Sequence, residues 1–324
     1  MRVLRAILAG LLLPSVPATA LAQTDARVDV SGIVGPKLQN LANGVLGMLG
    51  YSIAPGVAAS SLQINRGATG NPGLTMGQFG SGFTIDPSFP LYMEGYLGYA
   101  RYDPKFVFSD GTDQRQLPTR WNSVSANVGL GWDFPLNEHW VLRPILNVTL
   151  GYVASDATLA GLLLAHKTDV NLQFLTRGHL NAAGIGGSLV LAYYLHREAY
   201  EFDMELRSTD IYLTSFGDTA QAVRGEASAI STSLWTRLRW PTGLEVFRRP
   251  LRYVLEGMHS EFYGGEARAL GFNGLTSIGG GLEVDTGGLE IGAFGLDVQR
   301  VRITAKYFFG PQVSGFATGI GISF

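Results

Sequence analysis

Charged side chains recur at every second position along several segments of this sequence. Asp203, Glu205 and Arg207, for example, alternate with Phe202 and Met204. Successive side chains of a strand point to opposite faces, so such a segment has one charged and one apolar face. A charged face can form ion pairs or, where cations dominate, attract anions. The residues of this charged row are Arg143, Asp203, Glu205, Arg207, Arg237, Arg239, Arg252, Glu256, Arg300, Arg302 and Lys306, with Glu283 as a further acidic member.

The histidines, the most common general bases, show no recognisable catalytic spacing. The five are His139, His166, His179, His196 and His259. His259 precedes Ser260 and Glu261, and His166 shares a long polar segment with Asp169. The sequence contains neither a nucleophile-elbow nor a His-Glu-x-x-His motif, and its metal-ligand types are not clustered. We therefore predict a protein that is not an enzyme and has no cofactor or metal, with a lipid hydrolase as a minor alternative.

Period-two alternation continues through most of the chain after about Gly56. In the clearest segment, residues 123–132, Val124, Val128 and Trp132 share a face opposite serines, an asparagine and glycines. About twelve such segments follow one another without a helical layer to cover their apolar rows. Lipid would cover those rows, and closing the sheet would remove its edges. The sequence therefore predicts an all-β fold, a transmembrane antiparallel β-barrel of about 12 strands with its charged row in the lumen.

The connections between these segments alternate between short and long. This alternation is typical of periplasmic turns and extracellular loops, and an even strand number would place both termini in the periplasm. The short connections are predicted at 86–90, 135–139, 196–199, 241–244 and, as a tight turn on the long-loop side, 310–313. The long connections are predicted at 103–119, 155–178, 217–226, 260–270 and, on the short-turn side, 286–296.

Aromatic residues are frequent near the predicted strand ends. We expect them to form girdles at the two membrane interfaces, because aromatic rings favour that boundary. The predicted girdle comprises Tyr92, Tyr96, Tyr99, Tyr102, Trp132, Trp140, Tyr193, Trp240, Tyr253, Tyr307 and Phe324.

The N-terminus has the pattern of an export signal. Arg2 and Arg5 precede an apolar run, and Ala20-Leu21-Ala22 is a small-x-small cleavage site. The 324-residue chain has no cysteine, which avoids mispairing in an oxidising compartment, and its net charge of −2 does not favour nucleic acid. We predict a signal peptide at 1–22, an N-terminal segment at 23–55 and a barrel at 56–324, located in the bacterial outer membrane.

A short helix is predicted inside the N-terminal segment, from Pro36 to Gly50. Leu38, Leu41 and Val45 recur at three- and four-residue steps, and proline suits the first helical position. The helix lies in the barrel lumen on the favoured interpretation and belongs to a flexible leader on the other.

The sequence resembles the autotransporter β-barrel, and more narrowly the solitary outer-membrane autotransporter-like barrels without a long passenger. The resemblance covers residues 35–324 and rests on the architecture and the last hairpin, from Tyr307 to Gly310 and from Gly319 to Phe324. It implies a C-terminal strand that is recognised by the barrel-assembly machinery and embedded in outer-membrane lipid. The residues of this assembly signal are Phe316, Ile320, Ile322 and Phe324.

The favoured function is a structural or transport barrel that resembles a translocator domain without a passenger. Its charged lumen would be a salt-bridged interior that holds barrel and helix rigid. One alternative is a porin-like channel for small solutes, whose basic lumen would favour anions. A second alternative is a surface adhesin or receptor that acts through its extracellular loops.

Overall fold

The computed structural model describes Leu46, Leu49, Gly50 and residues 61–64, 73–103, 105–109, 114–118, 121–155, 179–219, 224–287, 292–293 and 296–323. The predicted signal peptide, most of the predicted Pro36–Gly50 helix and Phe324 lie outside these residues. The main sheet contains strands β1 (Ser61–Ile64), β2 (Gly73–Asp86), β3 (Phe89–Asp103), β4 (Trp121–Trp132), β5 (Trp140–Ser155), β6 (His179–His196), β7 (Glu201–Phe216), β8 (Glu226–Val246), β9 (Arg249–Tyr263), β10 (Gly274–Asp285), β11 (Arg300–Gly310) and β12 (Val313–Ser323).

These strands form a closed antiparallel ring. Each strand pairs with the next one in the chain, so neighbours in sequence are neighbours in space. The short strand β1 also pairs with β12, from Ser61 opposite Phe316 to Ile64 opposite Val313, and this pairing closes the sheet. The prediction of an antiparallel barrel of about 12 strands is confirmed.

Short elements occur in the connections. The short strand Phe134–Pro135 pairs with the start of β5. Lys105–Ser109 pairs with Gln114–Pro118, and Gly292–Ala293 pairs with Leu296–Asp297. One helix, Gly264–Leu270, joins β9 to β10. Within the described part of the chain, no helix is long and apolar enough to cross a bilayer.

The two faces of the sheet differ in the way that a membrane barrel requires. On β4 and β5 the outward side chains Val128 and Val148 are about half exposed, whereas the inward Asn127 and Asn147 are buried. A water-soluble fold would reverse this arrangement, because exposed apolar rows are unfavourable in water but not in lipid. Near the strand ends, aromatic pairs such as Trp240 with Tyr253, 5.5 Å apart, lie on the outward face.

The two ends of the barrel are unlike, and we name them by their connections. The turn end carries the two-residue turns 87–88 and 247–248 and the connection 197–200, whereas the loop end carries the helix Gly264–Leu270. The first residue of β1 and the last residue of β12 are the residues of these strands that lie nearest the turn end. Between β11 and β12 the predicted tight turn is present, with Gln312 at φ 62°.

The predicted turn at Pro241–Leu244 is wrong. Strand β8 continues to Val246, and its pairing with β9 shifts register between Pro241 and Glu245. Proline has no backbone N–H to donate, so it interrupts the ladder, and the three residues after it form a bulge. The hairpin instead closes at Phe247 and Arg248, both with positive φ of 54° and 61°, as in a type I′ turn.

Candidate functional site

The charged side chains meet inside the barrel, across strands that are not neighbours. Arg207 on β7 contacts Glu94 on β3, and Arg300 on β11 contacts Glu201 on β7. Side chains of non-adjacent strands can touch only within the enclosed space of a closed sheet. The structure places all the charged residues named from the sequence on this inward row, and each of them takes part in at least one ion pair: Arg143, Asp203, Glu205, Arg207, Arg237, Arg239, Arg252, Glu256, Arg300, Arg302 and Lys306.

Glu94 is a buried carboxylate that accepts four hydrogen bonds in this network. Its Oε1 accepts hydrogen bonds from Arg207 Nη2 at 2.6 Å and from Asn147 Nδ2 at 2.8 Å. Its Oε2 accepts from Arg207 Nη1 at 2.8 Å and from the Tyr92 hydroxyl at 3.2 Å. The two parallel guanidinium bonds form a bidentate pair, which fixes both side chains in direction as well as distance.

A second cluster surrounds Glu201 and Asp203 near the turn end. Glu201 accepts bonds from Arg252 and Arg300, each at 2.5 Å, and lies 3.0 Å from Arg239. Arg239 also donates to Asp203 at 2.6 Å. These two carboxylates therefore join three strands beyond their own, because Arg239, Arg252 and Arg300 come from β8, β9 and β11.

A third cluster lies opposite β3, around Glu256 and Glu283. Lys306 Nζ is 2.7 Å from Glu256, while Arg302 and Arg237 lie at 3.7 and 3.9 Å. The Glu283 side chain is fully buried, and Arg239, Arg300 and Arg302 approach it at 3.6 to 3.8 Å. The larger separations show charge proximity, and among the described residues Nε and Nη1 of Arg237 have no hydrogen-bond partner.

Near the turn end, Arg143 is held between a carboxylate and an aromatic ring. It forms a bidentate pair with Asp133, and its guanidinium lies 3.9 Å from the centre of the Tyr92 ring. Asp133 also accepts a hydrogen bond from Thr84 at 2.6 Å. The ring and the ion pair together fix the arginine in place.

Sequence reasoning missed four acidic members of the network: Glu94, Asp133, Glu201 and Asp285. With them, and leaving histidines aside, the ion pairs of the described residues join eight cations to eight carboxylates. In the sequence, Glu94 could have been recognised from the period-two pattern, which places it on one row with Tyr92 and Tyr96. Asp133, Glu201 and Asp285 lie at or next to strand ends, where alternation is too short to assign a face.

The girdle prediction is wrong for Tyr92 and Tyr96. Both are on the inward row of β3, where Tyr92 is buried and bonded to Glu94. Glycines provide the space for them, since a Cβ on Gly82 would lie 1.9 Å from the Tyr92 hydroxyl, and one on Gly80 would lie 2.6 Å from the Tyr96 ring. An aromatic residue near a strand end indicates an interface only when its row faces lipid.

The lumen changes character toward the loop end, where its inward row is apolar. Leu46 and Leu49, helical residues of the predicted N-terminal helix, are completely buried there. A Cβ on Gly151 of β5 would lie 2.2 Å from Leu49 Cδ1, and one on Gly50 would lie 2.4 Å from Ala229 of β8. The side chains in contact form one cluster, which we call the plug cluster: Leu46, Leu49, Val153, Leu180, Ala182, Ile211, Leu213, Ala227 and Ala229.

A second apolar cluster fills the other side of the loop half. It includes Phe262 of β9, Phe308 of β11 and Leu270 of the connecting helix, all essentially inaccessible. In the same helix Glu266 is buried, and burial raises its pKa well above the usual value although the backbone N–H of Ile230 donates to it. Ile230 lies opposite Tyr263, the last residue of β9, so Glu266 contacts the backbone at the loop end of this strand pair.

His259 and Ser260, considered from the sequence as a possible base and nucleophile, lie on opposite faces of the sheet. His259 is exposed on the outward face, where its ring nitrogens lie 2.8 Å from Thr276 and 3.1 Å from Glu261. Ser260 is completely buried on the inward face and bonds to Ser233. His259 and Ser260 therefore do not form a nucleophile–base pair.

The assembly-signal residues of β12 share the outward row as far as the structure describes them. Phe316 and Ile320 are 58% and 74% exposed, Ile322 is partly exposed, and Phe324 lies outside the described residues. Opposite them, Ala317 faces the lumen and is buried.

Comparison with solved structures finds proteins of similar fold. The chain is similar to the β-domain of the Bordetella autotransporter BrkA (10% identity, 81% of this chain, 93% of that chain, TM-score 0.45). It is similar to the transport unit of the autotransporter AIDA-I from Escherichia coli (14%, 88% and 99%, TM-score 0.44) and to the CymD monoaromatic hydrocarbon channel (14%, 89% and 92%, TM-score 0.29). No protein-family model and no curated protein sequence matches it.

These likenesses concern the fold alone. The chain's own strands show a closed antiparallel β-barrel with an apolar outward row.

Proposed function

We propose that this protein is a bacterial outer-membrane barrel of autotransporter type, without a passenger and without catalytic activity, whose lumen is closed by its own N-terminal helix. The observation that carries the proposal is the burial of Leu46 and Leu49 against the inward faces of β5 to β8. Burying two leucine side chains contributes about 3 to 6 kcal/mol, enough to hold a short helix in place.

The outward face supports the proposed location. Exposed apolar residues continue around the ring, for example Leu97 on β3, Leu189 on β6 and Ile303 on β11. Outer-membrane lipid would cover this surface, and the barrel-assembly machinery would insert it by way of the outward row of β12. A cleaved signal peptide at residues 1–22 would deliver the chain to the periplasm, with the turn end facing the periplasm.

A porin-like channel is the second candidate, supported by the charged cavity in the turn half of the lumen. Two observations favour the plugged barrel over it. The cations of the network are matched by an equal number of carboxylates, and the loop half contains two packed apolar clusters. The adhesin or receptor alternative depends on the long loops, which lie largely outside the described residues.

Conductance in planar bilayers tests the plug. The intact barrel should conduct weakly, and a chain lacking residues 36–50 should conduct much better, because the plug cluster loses its central side chains. A deletion chain that folds, as judged by heat-modifiable mobility on denaturing gels, yet conducts like the intact barrel would refute the proposal.

A disulfide supplies the matched control, since the chain has no cysteine of its own. An ideal Cβ on Gly151 lies 3.0 Å from Leu49 Cγ, so Leu49→Cys with Gly151→Cys can reach disulfide geometry. The oxidised cysteine pair should keep the conductance of the barrel low. Reduction of the disulfide should raise the fraction of time that the barrel spends in an open, conducting state. Failure of the two cysteines to cross-link would place the helix elsewhere.

A further inference from the structure

The turn half of the lumen contains a cavity of about 960 Å³ that the proposed plug does not use. Pro87, Pro135 and His196 line it near the turn end, and Met76, Met258 and Ala317 of the apolar cluster line it toward the loop end. It is therefore a vestibule bounded on its inner side by apolar packing. Its volume would admit a small organic solute, since ligand sites commonly measure about 300 to 1,000 Å³.

The wall of this vestibule carries more positive than negative charge. Five cations line it, namely Arg143, Arg207, Arg237, Arg302 and Lys306, against the three carboxylates Asp133, Glu205 and Glu256. The carboxylates that complete the balance, such as Glu94, Asp203 and Glu283, do not line the cavity. Their side chains are 0 to 5% exposed. The network is neutral as a whole but presents its cations to the cavity.

The cations are densest around Glu256. Lys306, Arg302 and Arg237 all lie within 3.9 Å of this one carboxylate. Arg237 is stacked at 4.5 Å on the ring of Trp235, which also lines the cavity. Arg237 and Arg302 also lie 3.5 Å from Asp203 and 3.8 Å from Glu283, respectively, but these two carboxylates do not line the cavity, so a solute anion would meet the cations from their cavity side.

We propose that the vestibule binds an anionic solute through Arg237, Arg302 and Lys306, with a phosphate or carboxylate group beside Glu256. Guanidinium groups suit the geometry of either anion, and Lys306 adds a flexible point charge. Trp235 and Tyr96 provide aromatic surface for the remainder of the solute. The inference is independent of the plug, because none of these residues belongs to the plug cluster.

Calorimetric titration of the refolded full-length barrel in neutral detergent tests the site. Pyrophosphate and citrate serve as phosphate and carboxylate probes, and spermidine serves as a cationic probe. We expect saturable binding of at least one anion, weakened by added salt, and no binding of spermidine. Absence of saturable anion binding up to about 10 mM, a Kd that corresponds to about −3 kcal/mol, would overturn the proposal.

Two substitutions predict opposite changes, which separates binding from misfolding. Lys306→Gln should weaken anion binding about tenfold, as expected for the loss of one charge-assisted bond. Glu256→Gln removes the competing carboxylate and should strengthen binding. Arg252→Gln is the matched control, because Arg252 belongs to the charged network but does not line the cavity. The site would be contradicted if all three variants changed the anion affinity equally, or if Glu256→Gln did not bind the anion more tightly.

Discussion

The turn half and the loop half of the lumen are built from the same strands, yet they are stabilised in opposite ways. On β7 the inward row begins with Glu201, Asp203 and Arg207 and ends with Ile211 and Leu213. The first group lies in the ion-pair network and the second in the plug cluster. The inward row of a single strand thus changes from charged to apolar within four residues, from Arg207 to Ile211.

This difference shows that an inward-facing row of a membrane barrel need not have one polarity. Ion pairs across a partly hydrated space fix directions and distances but contribute modestly to stability unless they are buried. Apolar packing excludes water and closes the space. One half is therefore suited to hold a polar solute and the other to seal the barrel, and each prediction below tests this boundary.

The largest expected effect comes from placing a charge on the apolar side of the boundary. Ile211→Asp puts a carboxylate into the plug cluster, whose described members are all apolar, and it should destabilise the packed loop half by roughly 5 kcal/mol. The free energy of unfolding of the barrel in lipid vesicles, measured with urea, checks the magnitude.

Thr209→Asp is its matched control, two residues earlier on the same inward row. Thr209 already accepts a hydrogen bond from Arg207 at 3.2 Å, so a carboxylate there meets a cation. We expect a loss well below that of Ile211→Asp. Similar losses for the two variants would mean that the halves do not differ in polarity.

The next effect comes from removing one partner of the buried, bidentate Arg207–Glu94 ion pair. Arg207→Met leaves Glu94 with neutral hydrogen-bond donors only. Because the Glu94 side chain is fully buried, its unpaired charge should lower the free energy of unfolding by about 4 kcal/mol. The same urea titration measures it. Arg252→Met is the control, since Glu201 keeps Arg239 and Arg300, and its loss should be clearly smaller.

A cavity in the plug should produce an intermediate effect that appears in gating. Leu49→Ala removes a completely buried side chain, and about 3 kcal/mol of packing should be lost. Single-channel recording should show the open state more often, while the unfolding of the barrel wall changes little. Unaltered gating in a chain that retains the helix would mean that Leu49 does not hold the plug.

The smallest effect concerns the one buried acidic side chain that the structure describes in the loop half. Burial raises the pKa of Glu266, so its neutral form is favoured in the folded protein. Stability is then fully present below the unfolded pKa of about 4.3 and falls as pH rises through the higher folded value. Glu266→Gln should remove this pH dependence and add about 1 kcal/mol above neutral pH, as measured by the temperature of heat modification at several pH values.

Much of the fold could be predicted from local pattern. The alternation of Leu142 to Tyr152 with Arg143 to Gly151 assigned both faces of β5, because side chains of a strand alternate strictly. Boundaries were less certain, as Pro241 shows, since a bulge and a turn use the same residue types. Part of the lumenal set was also missed, because Glu201 and Asp133 lie at or beside strand ends.

What the sequence determined by itself was the class of the protein: alternating rows, uncovered apolar faces and short and long connections, all of which are local. What only the tertiary structure decided was which charges meet and where the lumen changes polarity. Arg207 reaches Glu94 across 113 residues, and Leu49 finds Gly151 because the helix enters a closed ring. These contacts depend on the shear and closure of the sheet, which no single strand encodes.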